Sequence, residues 1–182
     1  TEEGMQHGAL RFADHPRAKV ISIDTSKAEK LEGVTKILTS KDIPGQRIGG
    51  LISQDWPVMI AEGETTRYIG DVLASVVAST EELARKAAKL IEIKYEVLDP
   101  ICDPKEAIKD SAPNIHEGGN ILSKSGTKRG DIEKGFKNSK YISEGEYTTQ
   151  RIEHAFMEPE CCLAVPGDIM TVHSQGQGVY ED

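Results

Sequence analysis

The chain has 182 residues, with 22 Lys and Arg residues against 30 Asp and Glu residues, and its formal net charge is −8. A chain this acidic is a poor partner for nucleic acid or for an anionic lipid surface, both of which attract basic proteins. No apolar run approaches the roughly 20 residues that a membrane-spanning helix needs, and residues 1–4 lack the pattern of a signal peptide. We therefore expect a cytoplasmic globular protein with no nucleic-acid or membrane partner, long enough for one ordinary domain or two small ones.

The first 110 residues contain the clearest periodic segments. Alternating or β-branched runs predict strands at residues 19–23, 34–39, 72–78 and 91–97, and residues 58–60 could add a short one. The run at 72–78 is almost entirely apolar, which is typical of a strand that is buried on both faces. Apolar residues at helical spacing then predict a helix from Glu81 to about Lys89, capped by Ser79 or Thr80.

Two shorter helices are predicted from their end signals. Thr25 can cap a helix of one to two turns that continues to Leu31, and Gly33 supplies the stop. A second short helix is predicted to open at Asp103 and Pro104, because proline fits the first helical turn.

The composition changes after residue 110. Residues 111–130 are rich in Gly, Ser, Asn and Lys, which predicts a linker. Beyond it the pattern predicts a helix at 131–137 and strands at 141–149, 154–165 and 170–174. Short strands mixed with few helices indicate an α+β domain that is followed by the start of a second unit.

Residues that could carry chemistry are few and scattered. The five histidines lack the spacing of a metal site, so the sequence predicts no metal bound by protein side chains. Glu153 and His154, with Glu158 and Glu160, could perform acid–base chemistry. Carboxylates along an extended strand more often form a solvated face or a structural hydrogen-bond site, and we favour that interpretation.

The three cysteines are Cys102, Cys161 and Cys162, an odd number that argues against a disulfide framework. Cys161 and Cys162 are adjacent in a predicted strand, so their side chains should point to opposite faces. We expect them to be small buried hydrophobic residues. A redox or metal-binding role is the alternative.

Seven short stretches are informative because of their order along the chain rather than their individual strength. They are residues 14–28 (DHPRAKVISIDTSKA), 31–34 (LEGV), 42–45 (DIPG), 67–78 (RYIGDVLASVVA), 93–98 (IKYEVL), 129–133 (RGDIE) and 153–160 (EHAFMEPE). They are spread over most of the chain, from residue 14 to residue 160, and their order resembles the N-terminal part of the large, molybdenum-binding subunit of the xanthine dehydrogenase and aldehyde oxidase family.

The resemblance implies a division of the chain into three parts. Residues 1–110 would form an α/β-hammerhead domain, which serves as scaffold in that family. Residues 111–130 would be the linker, and residues 131–182 would be the start of a molybdopterin-binding domain. The partners implied are the remaining molybdopterin-binding domains of the same subunit and the domains or subunits that carry iron–sulfur clusters and FAD.

The resemblance also implies an activity, the oxidative hydroxylation of a purine, another nitrogen heterocycle or an aldehyde with a molybdopterin-type molybdenum cofactor. Residues 172–175 (VHSQ) resemble the strand end at which the family places a glutamine beside the molybdenum. This likeness gives Gln175 a catalytic and cofactor-binding role without making it a metal ligand. A neutral amide donor there would stabilise negative charge on an oxygen of the cofactor.

The sequence departs from the family pattern at both ends. A segment of the form G-x-A-x-Y-x-x-D before Met5, a glycine-rich stretch after Asp182 and the C-terminal glutamate base are missing. We therefore expect a fragment that is inactive by itself and binds no molybdopterin tightly. The alternative is a non-catalytic scaffold or protein-interaction module. A reading frame that continues into a glycine-rich loop favours the enzyme, and a stop codon after Asp182 favours the module.

Overall fold

In a computed structural model the chain forms two compact units, residues 1–124 (unit 1) and residues 125–182 (unit 2). The structure describes residues 2–50, 53–155, 157 and 160–176. The elements within these ranges are β1 (His7–Phe12), β2 (Ala18–Asp24), α1 (Ser26–Glu29), β3 (Val34–Thr39), a 3-10 helix (Ser40–Asp42), β4 (Ile48–Gly49), β5 (Trp56–Pro57), β6 (Val72–Ala78), α2 (Glu81–Leu90), β7 (Glu92–Val97), α3 (Pro104–Ala107), α4 (Ile132–Asn138), β8 (Cys162–Val165) and β9 (Thr171–Ser174). This mixture of short strands and helices confirms the expected α+β class.

The centre of unit 1 is β6, which lies between β1 and β3 in an antiparallel sheet of order β1-β6-β3. Ala74 and Val76 on one side of β6 belong to a core cluster that includes residues of α2. Leu73, on the other side, packs in a second cluster with Val20 and Ile60. The prediction that this strand is buried on both faces is therefore confirmed.

Helix α2 covers one face of the sheet and runs one residue further than predicted. The Thr80 hydroxyl accepts a hydrogen bond from the Leu83 N–H at 3.2 Å, which satisfies one of the unpaired donors at the helix start. The buried residues of α2 are all small: Ala84, Ala87 and Ala88. Because alanine has no side-chain atoms beyond Cβ, the helix can approach the sheet closely.

A second antiparallel sheet joins β2 to β7, and both of these strands were predicted from their alternating sequences. The start of β2 is anchored by hydrogen bonds to Thr66, a polar residue that is fully buried. The Thr66 hydroxyl donates to the His15 carbonyl oxygen at 3.0 Å and accepts from the Ala18 N–H at 2.9 Å. Both hydrogen-bonding functions of this buried hydroxyl are thereby satisfied, as burial of a polar group requires.

Several local predictions for unit 1 need correction. Thr25 stands at the start of α1 but makes no side-chain cap; its hydroxyl donates instead to Glu29 Oε1 at 2.7 Å. The helix ends at Glu29, before Leu31, and Gly33 follows in the turn to β3 with a φ of +89°. The short strand lies at Trp56–Pro57 rather than at residues 58–60, because residues 48–49 supply its partner.

Unit 2 contains α4 and a hairpin formed by β8 and β9. The predicted strand at 141–149 is wrong, and so is the first part of the one at 154–165, of which residues 162–165 are a strand. Residues 156, 158 and 159 lie outside the described residues. The strand predicted at 141–149 from periodicity did not form, because an alternating segment forms a strand only where a neighbouring strand satisfies its backbone hydrogen-bonding groups.

The expected burial of the adjacent cysteines is also wrong. Cys161 and Cys162 are both exposed free thiols, as is Cys102. Every described residue from 121 to 162 is exposed, so this part of the chain offers no core in which a cysteine could be buried. Among the described residues, no helix is long and apolar enough to span a bilayer.

Candidate functional site

The residue singled out by sequence, Gln175, lies directly after the β8–β9 hairpin. The strands pair antiparallel from Val165 opposite Thr171 to Cys162 opposite Ser174, so Gln175 is the first residue beyond the ladder. Gln175 is exposed. A polar side chain directly after a regular strand has a backbone position that the strand fixes, and it lies where a ligand can reach it.

A hydrogen bond spans Gln175. The N–H of Gly176 donates to Ser174 Oγ at 3.2 Å, from two residues further along the chain. This arrangement is a serine turn, in which a side-chain oxygen takes the place of a backbone carbonyl. The backbone is therefore turned at Gln175 rather than continuing as a strand.

The described members of the alternative acid–base set, Glu153, His154 and Glu160, are all exposed. Glu153 Oε1 accepts a long hydrogen bond of 3.4 Å from the Ala155 N–H. Glu158 lies outside the described residues. The contact at Glu153 fits the structural role that the sequence favoured.

The described residues contain no group of three or more His, Cys, Asp or Glu side chains that could hold a metal ion. In the described residues 174–176 at the hairpin exit, the polar groups are the amide of Gln175, the hydroxyl of Ser174 and the backbone N–H and C=O groups. These are hydrogen-bonding groups rather than the thiolate, imidazole or carboxylate ligands that metals prefer. These described groups can offer a ligand uncharged hydrogen-bond donors and acceptors.

Unit 1 contains a polar cluster that sequence reasoning missed. Asp71 is 3% exposed and accepts from the backbone N–H of Arg67 at 2.6 Å, and its carboxylate lies 3.6 Å from the Arg67 guanidinium. The Arg67 guanidinium also donates to the carbonyl oxygen of Asp55. His116 Nδ1 lies 3.4 Å from both the Arg67 guanidinium and the Asp55 carboxylate.

The cluster fastens distant segments of unit 1 to one another. Arg67 and Asp71 are four residues apart, a spacing that could have suggested their pairing. No sequence signal connects them to Asp55 or to His116, which is 49 residues from Arg67. His116 belongs to the stretch predicted as a linker, so part of that stretch is ordered within unit 1.

Asn120 orders the same stretch by a further set of hydrogen bonds. Its amide nitrogen donates to the carbonyl oxygens of Ala107 at 2.9 Å and Pro113 at 3.1 Å, and its amide oxygen accepts from the Ile115 N–H at 2.7 Å. The three bonds fold residues 113–120 back onto the end of α3. The division between the units follows at residues 124 and 125, within the predicted linker.

A second ion pair holds the loop before β6. Arg47 contacts both carboxylate oxygens of Glu64 and donates to the Met59 carbonyl oxygen at 2.9 Å, while Glu64 also accepts from the Ala61 N–H at 2.8 Å. The hydrogen bond from Arg47 lowers the pKa of Glu64, with a smaller contribution from Ala61, against the opposing effect of burial. This pair is structural, since each partner is occupied by the other.

Comparison with protein families identifies both halves of the chain. A family model described as "Aldehyde oxidase and xanthine dehydrogenase, a/b hammerhead domain" matches residues 1–99. A second, described as "Molybdopterin cofactor-binding domain", matches residues 115–182. The chain belongs to the aldehyde oxidase and xanthine dehydrogenase family, as the ordered stretches in the sequence implied.

Individual relatives agree with the family match. The chain is 38% identical over 181 residues to a probable xanthine dehydrogenase subunit of Bacillus subtilis, a match that covers 98% of this chain and 24% of the relative. It is 38% identical over 149 residues to the xanthine dehydrogenase/oxidase of Gallus gallus, covering 82% of this chain and 10% of that protein. The chain thus spans a quarter or less of the length of these relatives.

Solved structures match the fold as well. The aldehyde oxidoreductase of Desulfovibrio gigas superposes with a TM-score of 0.87 at 30% identity, over 96% of this chain and 20% of that one. The quinoline 2-oxidoreductase of Pseudomonas putida 86 gives a TM-score of 0.76 at 26% identity, over 90% and 22% of the two chains. The predicted fold, a hammerhead domain followed by the first part of a molybdopterin-binding domain, is confirmed.

Proposed function

We propose that this chain contributes a scaffold and part of the cofactor site to a molybdenum hydroxylase of the xanthine dehydrogenase type. The enzyme would hydroxylate purines, other nitrogen heterocycles or aldehydes. The observation that carries the proposal is the position of Gln175, the first residue beyond the paired hairpin of a segment that matches a molybdopterin-binding domain. The bound cofactor would supply the oxidative chemistry, and the protein would orient it.

The residues at the hairpin exit fit the role of a hydrogen-bonding partner for such a cofactor. An amide such as that of Gln175 has two N–H donors and one acceptor and carries no charge at any physiological pH. Donors that are fixed in place before the reaction stabilise an oxygen on which negative charge develops. In this proposal Gln175 would hold the cofactor by hydrogen bonding and would not be a metal ligand.

We also propose a role for each of three parts of the chain. We assign residues 1–110 to the hammerhead scaffold and 131–182 to the start of the molybdopterin-binding domain, with 111–130 as the linker, of which residues 113–120 fold back onto α3. The further molybdopterin-binding domains of the same subunit, and domains or subunits with iron–sulfur clusters and FAD, would be the partners. Their electron transfer would return the cofactor to its oxidised form, in a cytoplasmic enzyme with a small-molecule substrate.

The test uses the full-length holoenzyme that contains this chain, with purine and aldehyde substrates. Replacing Gln175→Ala removes the donor, and we expect kcat to fall about 100-fold, as for other donors to a developing oxyanion. Gln175→Glu preserves the size of the side chain but adds negative charge, so its kcat should be lower still. Metal analysis should show the same molybdenum content in each variant.

Gln150→Ala is the matched control, because Gln150 is an exposed glutamine of the same unit. Its kcat should stay within about twofold of the wild-type value, as for surface substitutions in general. A Gln175→Ala enzyme with unchanged kcat would overturn the role of Gln175. A full-length wild-type protein that is purified intact without molybdenum and oxidises no substrate would overturn the hydroxylase assignment.

A second candidate, a non-catalytic scaffold or interaction module, is favoured by one feature of unit 1. Trp56, Val58 and Tyr68 line a hollow of about 300 Å³, and their exposed fractions are 61%, 54% and 49%. Neighbouring exposed apolar side chains are typical of a surface that another protein covers. The molybdenum content of the full-length protein separates the two candidates, because a module of this kind would contain none.

A further inference from the structure

We propose that Ser174 is a positioning residue, which fixes the orientation of the backbone at Gln175 and thereby the direction of the Gln175 side chain. The inference rests on the proposed function of Gln175 and adds a second residue to it. The observation behind it is the hydrogen bond of 3.2 Å from the Gly176 N–H to Ser174 Oγ. This bond encloses Gln175 between its two ends.

Two anchors hold the backbone on either side of Gln175. On one side, Ser174 is paired with Cys162 in the last position of the hairpin ladder. On the other side, the N–H of Gly176 is held by the Ser174 hydroxyl. A turn of this kind replaces a backbone hydrogen bond by a side-chain oxygen. The orientation of the peptide groups around Gln175 therefore depends on this hydroxyl.

The direction of the backbone matters because the glutamine side chain is long. A small rotation of the backbone at Gln175 moves its terminal amide by much more than it moves Cα. A group that stabilises charge has to be held within roughly 0.5 Å and 10–20° of its productive position. Loss of the turn would therefore weaken the contribution of the amide without removing the amide itself.

Three substitutions isolate the hydroxyl. Ser174→Ala removes Oγ and leaves a smaller side chain that fits the same space, whereas Ser174→Thr keeps a hydroxyl at the same position. Thr171→Ala is the matched control, since Thr171 is an exposed hydroxyl residue of the same strand, paired with Val165. Thr171 has no part in the turn around Gln175.

The first readout is independent of activity. In the full-length holoenzyme, hydrogen exchange of the Gly176 amide is measured by mass spectrometry with fragmentation to single residues. Ser174→Ala should exchange about 5-fold faster, the ratio that corresponds to loss of a neutral hydrogen bond of net value near 1 kcal/mol. Ser174→Thr and Thr171→Ala should stay within about twofold of the wild-type rate.

The second readout joins kinetics to spectroscopy. In Ser174→Ala we expect kcat to fall about 3- to 10-fold with KM unchanged within twofold, because an interaction that strengthens in the transition state affects kcat. The electron paramagnetic resonance spectrum of the partially reduced molybdenum should shift while the molybdenum content stays the same. Ser174→Thr should restore both kcat and the spectrum.

The outcomes separate this inference from the proposed function. If Gln175→Ala lowers kcat but Ser174→Ala changes neither the exchange of Gly176 nor kcat, Ser174 has no positioning role and the proposed function stands. If Ser174→Ala lowers kcat only in proportion to lost molybdenum, its role is structural and the inference is overturned. If Gln175→Ala leaves kcat unchanged, the role of Gln175 itself fails, and the positioning role fails with it.

Discussion

Unit 1 and unit 2 are built from the same kinds of elements but bury very different parts of them. In unit 1, Leu73, Ala74 and Val76 of the central strand are completely buried. In unit 2, no described residue is buried, and only Leu163 and Val165 of the hairpin are half-buried. The difference follows from the number of layers, since β6 has a strand on each side and α2 over one face.

The contrast indicates where the free energy of unfolding resides. A three-stranded sheet under a helix can be stable by itself, whereas a single two-stranded hairpin is marginal in water. We therefore expect unit 1 to determine the cooperative unfolding of this chain. Gln175, to which we assign a functional role, belongs to unit 2, which we expect to be the less stable of the two, as is common for ligand-binding segments.

The largest effect should come from the core of unit 1. Leu73→Ala creates a cavity in a fully buried position, and we expect the free energy of unfolding to fall by about 2–5 kcal/mol. Ile169→Ala, in the hairpin turn of unit 2, should change it by less than about 0.5 kcal/mol, because Ile169 is 85% exposed. Urea denaturation followed by circular dichroism measures both, and equal losses would contradict the contrast between the units.

A smaller effect is expected from the helix caps of the two units. The Thr80 side chain caps α2 by accepting from Leu83, and the Asp131 side chain caps α4 by accepting from the Lys134 N–H at 3.0 Å. Thr80→Ala should cost about 1 kcal/mol in the global free energy of unfolding. Asp131→Ala should leave the denaturation midpoint unchanged, because α4 buries no residue. A midpoint that moves equally in both variants would show that α4 belongs to the same cooperative unit.

The smallest effect concerns pH and the Arg47–Glu64 pair of unit 1. The folded-state pKa of Glu64 is lowered, so its contribution is complete above the pKa of an unperturbed glutamate, about 4.3, and is lost as the pH falls through the lower folded value. At neutral pH, Glu64→Gln should lower the free energy of unfolding by less than about 1 kcal/mol, since the pair is partly exposed to solvent.

The difference between wild type and Glu64→Gln should therefore shrink as the pH is lowered below about 4. Denaturation at a series of pH values measures it. Glu144→Gln is the control, because Glu144 is an exposed carboxylate of unit 2, and it should show no effect at any pH. A difference that grows on acidification would mean that the ionised pair does not stabilise unit 1.

The regular elements of unit 1 were predictable because their local preference and their tertiary environment agree. The apolar run of β6 and the spacing of α2 both matched the structure, and the Thr80 cap was one of two alternatives that the sequence offered. In unit 2 the pattern at residues 141–149 predicted a strand that did not form. An alternating pattern records only which side chains would share a face, and the pairing partner of a strand is decided elsewhere in the chain.

The candidate functional site was likewise predictable from the sequence in part only. The role assigned to Gln175 came from a likeness to a family, and its place at a strand end followed from the strand predicted at residues 170–174. The turn that Ser174 closes around Gln175 depends on a single hydrogen bond between its hydroxyl and the Gly176 N–H, and the sequence of these three residues does not predict that bond. The contact between His116 and Arg67 was not predictable, because these two residues come from distant parts of the chain.

By itself, the sequence determined the fold class, the central strand and helix of unit 1, and membership of the aldehyde oxidase and xanthine dehydrogenase family. These properties depend on periodicity and on the order of short stretches, and both are present in the linear sequence. Only the tertiary structure decided which strands pair, that Cys161 and Cys162 are exposed, and that His116 is held against Arg67. Each of these depends on contacts between residues far apart in the chain, whose free energy is set by burial and geometry rather than by local preference.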